Sequence, residues 1–426
     1  MKRLSYNALA LLAVAAALLG AAGESRAEDD RGGPPDEYVA HWDAVGSEAF
    51  TASGLTAAEG HVIFAYQAIA VYDSVMAVEG GYRPFAVDVR AHRGASAEAA
   101  AVAAAHRILA HHLPAQGAAI LDPAYAESLA TIKDGRAKVR GVATGEKVAG
   151  LLIARRAHDG FRAPVTYTPP DPPVPGIWIP TAPTPPIGTY LGLMRPFSLH
   201  SASQFRPDGP PALSSRRWAR DYDEVKEIGS STSATRTPAQ TLGARFWAEP
   251  PVQQAHAAYR KLAQDRALDV VRAARLMAMV SVTYADALIA CFDAKYHYVR
   301  WRPITAIRAG DTDGNRATEG DPAWAPLLPA TPNHPEYPSA HACVVPATGR
   351  AIARFLGTRR IDFTVPSITG LGDRRFATVG HLQADVGNAR IWGGIHYRSA
   401  VDDGVEVGRR TARQVLSRHF QRARWR

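Results

Sequence analysis

Cysteine is nearly absent: Cys291 and Cys343 are the only two in 426 residues. So few exclude a disulfide scaffold and any cysteine-rich zinc or iron–sulfur centre. Charge of one sign is not in large excess either. Lys and Arg number 49 against 40 Asp and Glu, a formal net charge of +9, and charged residues make up 21% of the chain. With 46% hydrophobic residues the composition is neither disordered nor low-complexity, and the length suffices for one large core or two ordinary ones. Long apolar runs are scarce beyond the N-terminus. The best later candidate, residues 276–290, contains Asp286 and is interrupted by Ser281 and Thr283, so no stable membrane span is expected.

The first 27 residues do carry an apolar run. Lys2 and Arg3 precede an apolar stretch over 8–22, followed by Ser25-Arg26-Ala27. A charged start, an apolar centre and a small-x-small site read as a secretory signal peptide over residues 1–27. The competing reading is a membrane anchor, but the stretch is shorter than the roughly 20 residues a span needs. Cleavage after Ala27 would leave about +7 on 399 residues. A secreted or periplasmic location follows, where a Cys291–Cys343 bridge is one option.

Residues 28–36 read as a disordered lead-in. Residues 37–160 are rich in Ala and poor in β-branched runs, which predicts an N-terminal bundle of about five helices. Thr56 and Glu59 form a capping box ahead of one of them. Residues 161–250 open on a segment, 164–211, that holds 14 of the 31 prolines, too many fixed φ angles for regular structure. Its Trp178, Tyr190 and Phe197 argue for an ordered excursion packed on the helices rather than a free linker. Residues 251–426 return to helical periodicity, with helices over 252–264, 267–299, 341–356, 374–392 and 399–420. The fold class is therefore all-α: two helical bundles joined by a long Pro-rich excursion. Tyr72-Asp73 and Tyr284-Ala285-Asp286 sit in two similar Ala/Val/Met-rich helices, a weak internal likeness.

Three clusters in the second bundle carry chemistry. In the first, Lys295 and Arg302 are seven apart and differ by about 20° around a helix. Pro303 holds Arg302 at a helix end, and Tyr296, Tyr298 and Trp301 between them imply burial. Buried cations must be paired or bind an anion. The second runs from His334-Pro335-Glu336-Tyr337-Pro338 to Ser339-Ala340-His341. A helix starting there leaves N–H groups of Ser339, Ala340 and His341 for an anion, with the Ser339 hydroxyl as a further donor. His341 can transfer protons. In the third, Arg390 and His396 flank Gly393-Gly394, which breaks the helix and lets both turn toward one point. Together these are two arginines, a lysine, a hydroxyl, helix N-termini and histidines, the requirements of a tetrahedral oxyanion. The same cations would repel Zn²⁺ or Mg²⁺. The basic residues form no stripe, which argues against nucleic acid.

Lys295-x6-Arg302-Pro303, Pro338-Ser339-Ala340-His341 and Arg390-x5-His396 resemble, in order and spacing, the three-part signature of the type 2 phosphatidic acid phosphatase superfamily. That superfamily includes acid phosphatases, lipid phosphatases and vanadium-dependent haloperoxidases, and the helical half N-terminal to the motifs resembles the haloperoxidases. The resemblance implies that Lys295, Arg302 and Arg390 neutralise the oxygens of vanadate or phosphate. It implies that Ser339 and the N–H of Ala340 hydrogen-bond them, and that His341 serves as acid–base. His396 would be the apical ligand to vanadium, or the nucleophile of a phosphatase. His334 falls where bromide-type members carry His, so bromide is expected over chloride. The implied reaction is oxidation of halide by hydrogen peroxide on bound vanadate. The alternatives are a secreted acid phosphatase acting on phosphate esters through a phosphohistidine, with no cofactor, and a non-catalytic oxyanion-binding protein.

Three positions depart from the pattern. Ala340 stands for Gly, Ala389 for Ser, and Ala400 for an Asp four residues after the histidine. Asp402 and Asp403 are displaced along the helix and are poor substitutes for a partner of His396. The N-terminal reading has a direct check: sequencing of the exported protein should begin at Glu28, and a start at Met1 in a membrane fraction would establish an anchor instead.

Overall fold

A computed structural model describes residues 36–423, so the signal-peptide reading and all of the lead-in except Asp36 lie outside the described residues. The Asp36 carboxylate accepts from the N–H groups of Tyr38, Val39 and Ala40 and caps α1 (Tyr38–Ser53). The Thr56–Glu59 capping box forms and opens α2 (Ala57–Glu79). Then come α3 (Ala97–His112), α4 (Asp122–Thr131) and α5 (Arg136–Arg156), which complete five helices before residue 160.

The Pro-rich segment is ordered, but the excursion also contains two helices that its overall composition hides. Ser215 caps α6 (Arg216–Ile228), and a Thr237–Gln240 capping box with Pro238 in the first turn opens α7 (Pro238–Phe246). Local caps were present in the sequence there, and the surrounding prolines masked them. The second half holds α8 (Pro251–Asp265), α9 (Val270–Tyr298), α10 (Pro303–Arg308), α11 (Ala340–Leu356), α12 (Val379–Trp392) and α13 (Arg398–Arg418). The helix expected from 374 begins later. Residues 374–378 are instead β2 (Arg374–Thr378), which pairs antiparallel with β1 (Arg360–Val365) and buries Phe376 opposite Phe363. Among the described residues this makes thirteen α-helices and one two-stranded sheet, an all-α fold.

α2, α3 and α5 pack together, as do α9, α11 and α13, and α2 packs directly on α9. One continuous apolar core therefore runs through both helical sets. By length and composition α2 and α9 are apolar enough to cross a bilayer, contrary to the sequence expectation, yet 89% and 94% of their apolar windows are buried inside the protein. α13 lies very close to α11: a Cβ on Gly408 would collide with the Cys343 carbonyl oxygen.

The two similar helices share one device. On α2, the Asp73 carboxylate accepts from the backbone N–H of Phe85, Ala86 and Val87. On α9, the Asp286 carboxylate accepts from Phe197, Ser198 and Leu199. Each loop follows an Arg-Pro pair, Arg83-Pro84 and Arg195-Pro196. Burial pushes both carboxyls up, to about 7 and about 6, against N–H groups that favour the ionised form. Asp286→Ala would leave three backbone donors without an acceptor, and should cost about 3 kcal/mol or more in denaturant unfolding.

Candidate active site

Lys295 and Arg302 do not share a helix face. α9 stops at Tyr298 because Val299 takes a left-handed conformation (φ 50°), unusual for a β-branched residue. The chain then runs extended and docks on the Pro-rich segment: Trp178 N–H donates to Val299 (2.7 Å), Trp301 N–H to Gly176 (3.0 Å), and Ile177 bridges Arg300. Arg302 is extended (φ −81°, ψ 156°) as N-cap of α10, as Pro303 requires. The two cations still meet around one loop, residues 332–338.

Lys295 is fully buried at the back of that loop. Its ammonium donates to the carbonyls of Pro335 (2.8 Å), Glu336 (2.9 Å) and Pro338 (2.6 Å), which uses all three of its protons. Arg302, also fully buried, spends its fork on the carbonyls of His334, Ile395 and Pro332, on His334 Nδ1 (3.0 Å), and on His396 Nε2 (3.2 Å). Both therefore supply charge and hold the loop. Arg390 differs: Nη1 donates to Trp247 O (2.6 Å), while Nε is buried without a partner. Of the three, it has donors to spare.

Ser339 is the N-cap of α11, but its hydroxyl does not cap the helix; the buried Oγ has no partner. Ala340 and His341 follow as the first helical residues, so their N–H groups have no intrahelical acceptor. α12 ends at Trp392, and Gly393-Gly394 turns the chain as the spacing suggested. Gly394 has φ 74°, and a Cβ there would strike Gly229 O. His396 follows, two residues before α13. Arg390, His341, His396, His334 and Ala340 all line one cavity of about 400 Å³; Lys295, Arg302 and Ser339 do not line it but are fully buried, the two cations against the 332–338 loop and Ser339 beside Ala340.

Glu336 is the residue the sequence reading left without a role. Its Oε1 lies 2.8 Å from His396 Nδ1 and accepts from Tyr397 N–H (3.0 Å). A carboxylate on Nδ1 places the proton there and makes Nε2 the acceptor nitrogen, which takes the Arg302 Nη1 hydrogen bond at 3.2 Å and would exchange it for a ligand. Asp402 and Asp403 do not take this place; Asp403 accepts from Tyr337 OH (2.8 Å). Ala400 instead offers its carbonyl to Ser339 N–H (2.9 Å). With Ala at 400, the carboxylate on His396 is thus supplied by a loop 60 residues earlier. Its signal in the sequence was a carboxylate three residues before Ser339, too common a pattern to read.

Burial is the main cause of every shift in the site. Lys295 is lowered to about 8, Arg302 to about 10 and Arg390 to about 9, and Glu336 is raised to about 7. His334, His341 and His396 lie well below the ordinary 6.5, first through burial and then through the surrounding cations. Buried cations are in excess here: Lys295, Arg302 and Arg390 stand against two buried carboxylates, Glu336 beside His396 and Glu249 on the cavity wall. An anion is the species that would offset the excess.

The fold and site define an all-α protein with a cavity lined by Arg390, His334, His341 and His396. Residues 275–424 match the family model described as the VCPO second helical-bundle domain. The vanadium chloroperoxidase of Curvularia inaequalis is 27% identical over 190 residues, covering 37% of this chain and 30% of that protein, so the match spans under a third of the relative's length. Among solved structures, a bacterial vanadium-dependent iodoperoxidase superposes with a TM-score of 0.76 at 24% identity, over 92% of this chain and 98% of its own. A holo-type bacterial vanadium-dependent chloroperoxidase gives 0.70 at 19%, over 89% and 97%. At these identities the structural likenesses show the fold. The family-model match, confined to residues 275–424, adds a likeness to the second helical bundle of the vanadium haloperoxidases.

Two substitutions test the cradle with inorganic vanadate or phosphate in equilibrium dialysis. Glu336→Ala should weaken binding about 10- to 100-fold by releasing the His396 ring, with Glu336→Asp recovering part of it. Arg390→Ala should cost about tenfold or more, the value of a charge-assisted hydrogen bond.

Proposed function

We propose that the chain is a secreted or periplasmic vanadium-dependent haloperoxidase-like enzyme that uses hydrogen peroxide to oxidise halide, bromide in preference to chloride. The observation that carries this reading is the cavity: Arg390, His341 and His396 line it, Arg390 Nε is buried without a partner, and so is Ser339 Oγ, next in the chain to the lining Ala340. Those orphaned donors, the α11 N-terminus and the excess of buried cations fit a tetrahedral oxyanion. His396 Nε2, with its proton held on Nδ1 by Glu336, would ligate vanadium. Arg390, Ser339 and the Ala340 N–H would hold the oxygens, with Lys295 and Arg302 supplying charge behind them. When bound, vanadate supplies the Lewis acidity that activates peroxide toward halide.

The remaining work falls to this chain. Neutral His341, at the cavity wall, accepts a proton from incoming peroxide at its free ring nitrogen and returns it to the departing oxygen. Apolar lining by Leu288, Phe292, Leu328 and Val344 limits water around the cradle. His334, held neutral by burial and bonded to Arg302, borders the region a halide would enter, and this motivates the bromide preference.

Vanadate-reconstituted full-length protein, checked by metal analysis, should brominate an acceptor only when both peroxide and bromide are present. His396→Ala should lose vanadium retention and turnover together. No turnover with any halide would sink the reading. Hydrolysis of a phosphate ester without peroxide, inhibited by vanadate, would establish the phosphatase; oxyanion binding with neither activity would establish a binding protein.

A further inference from the structure

The cavity is larger and more apolar than an oxyanion needs. Its volume of about 400 Å³ falls in the range of roughly 300–1,000 Å³ typical of organic-ligand pockets. Beside the cradle it is lined by Ile187, Leu288, Phe292, Leu328, Val344 and Ile395. At the wall of this apolar space the first helical half places one polar side chain that the oxyanion chemistry does not use. His61, on α2, lines the cavity and is 4% exposed, and its Nε2 is buried with no hydrogen-bond partner. A buried ring nitrogen ordinarily finds a partner within the fold.

The ring is fixed in place. It stacks on Tyr284, with centroids 3.6 Å apart and planes at 21°, and lies 6.2 Å from the ring of His256. His256 in turn is anchored to Asp43, Nδ1 to Oδ2 at 2.6 Å. Glu249, the nearby carboxylate lining the cavity, already accepts from Ser367, Ile368, Thr369 and Gln254. Burial and the neighbouring His256 and His341 keep His61 neutral, so Nε2 can give or take one hydrogen bond.

We infer that this cavity is also an organic-substrate site, in which His61 hydrogen-bonds the hydroxyl or N–H of a planar, apolar molecule that is halogenated beside the oxyanion cradle. The inference rests on the haloperoxidase reading for its reaction and on His61 for its binding. Flat walls from the His61–Tyr284 pair, Phe292 and Trp247 favour a planar occupant. In the reaction a C–H bond of the acceptor gives way to a carbon–halogen bond. The halide loses two electrons, which cleave the O–O bond of hydrogen peroxide. The displaced proton, one more from solution and the two of peroxide leave with its oxygens as two waters.

The probe is 2-naphthol, an aromatic molecule with one hydroxyl, titrated into the full chain and followed by saturation-transfer NMR. Binding should be saturable, His61→Ala should weaken it roughly tenfold or more, and His61→Gln, which keeps a hydrogen-bonding group, should retain most of it. Ala330→Trp, at an exposed lining position, should block entry without touching the core. Thermal melting checks that each variant is folded. With vanadate, peroxide and bromide, bromination of 2-naphthol should saturate, and His61→Ala should raise its KM. Unsaturable binding, or His61→Ala binding as the wild type does, overturns the inference. Bromide oxidation that brominates 2-naphthol without saturation also overturns it while the haloperoxidase reading stands. His61-dependent binding without any halide oxidation removes the reaction and leaves only the site.

Discussion

The structure is organised by a single electrostatic problem: Lys295, Arg302 and Arg390 are all at most 3% exposed, and Glu336 is the carboxylate built in among them. Charge removed from water must be compensated, and here backbone carbonyls do most of it. Lys295 closes the 335–338 loop into a tight cage, Arg302 ties that loop to Ile395 and His396, and Arg390 is tethered by Trp247. Segments distant in sequence are thereby locked together. What the carbonyls leave uncompensated is positive charge beside the cavity.

The Pro-rich excursion belongs to this arrangement. Gly176 and Trp178 pair with the extended chain just before Arg302, and Asn333 grips the excursion through Thr181, Thr184 and Ile187. Its later part delivers Trp247, Ala248 and Glu249 to the cavity wall. A segment that cannot form a helix over most of its length can instead offer free carbonyls and N–H groups to the site. The first helical half contributes likewise, since α2 packs on α9 and carries His61 to the same cavity. The site therefore draws on all three parts of the chain.

Asp73 and Asp286 show how that scaffold is made stiff. Each is buried on the long helix of its own half and pins a loop by three N–H groups, so α2 and α9 carry both the core and the geometry of the loops around it. The internal likeness between the two helices is expressed as this shared hydrogen-bonding device.

The chemistry of the site was legible in the residues. The cations, the Ser339 hydroxyl before a helix and the histidines could be picked out by their spacings, and Pro303 and Gly393-Gly394 dictate local turns through steric limits on their own backbone. Helices with strong caps and apolar periodicity were legible for the same local reason. Other features depend on contacts between distant segments. Beyond the left-handed Val299 the chain docks on the Pro-rich segment, so Lys295 and Arg302 converge without sharing a helix. Strand β2 takes residues that read as helix because Phe376 faces Phe363 across a hairpin. Glu336 takes over the partnership with His396 that Ala400 cannot offer, and His61 reaches the cavity from about 280 residues away. The sequence by itself determined which charges had to be compensated; only packing decided which carbonyls, which carboxylate and which distant histidine would face them, because burial and proximity are properties of the folded chain.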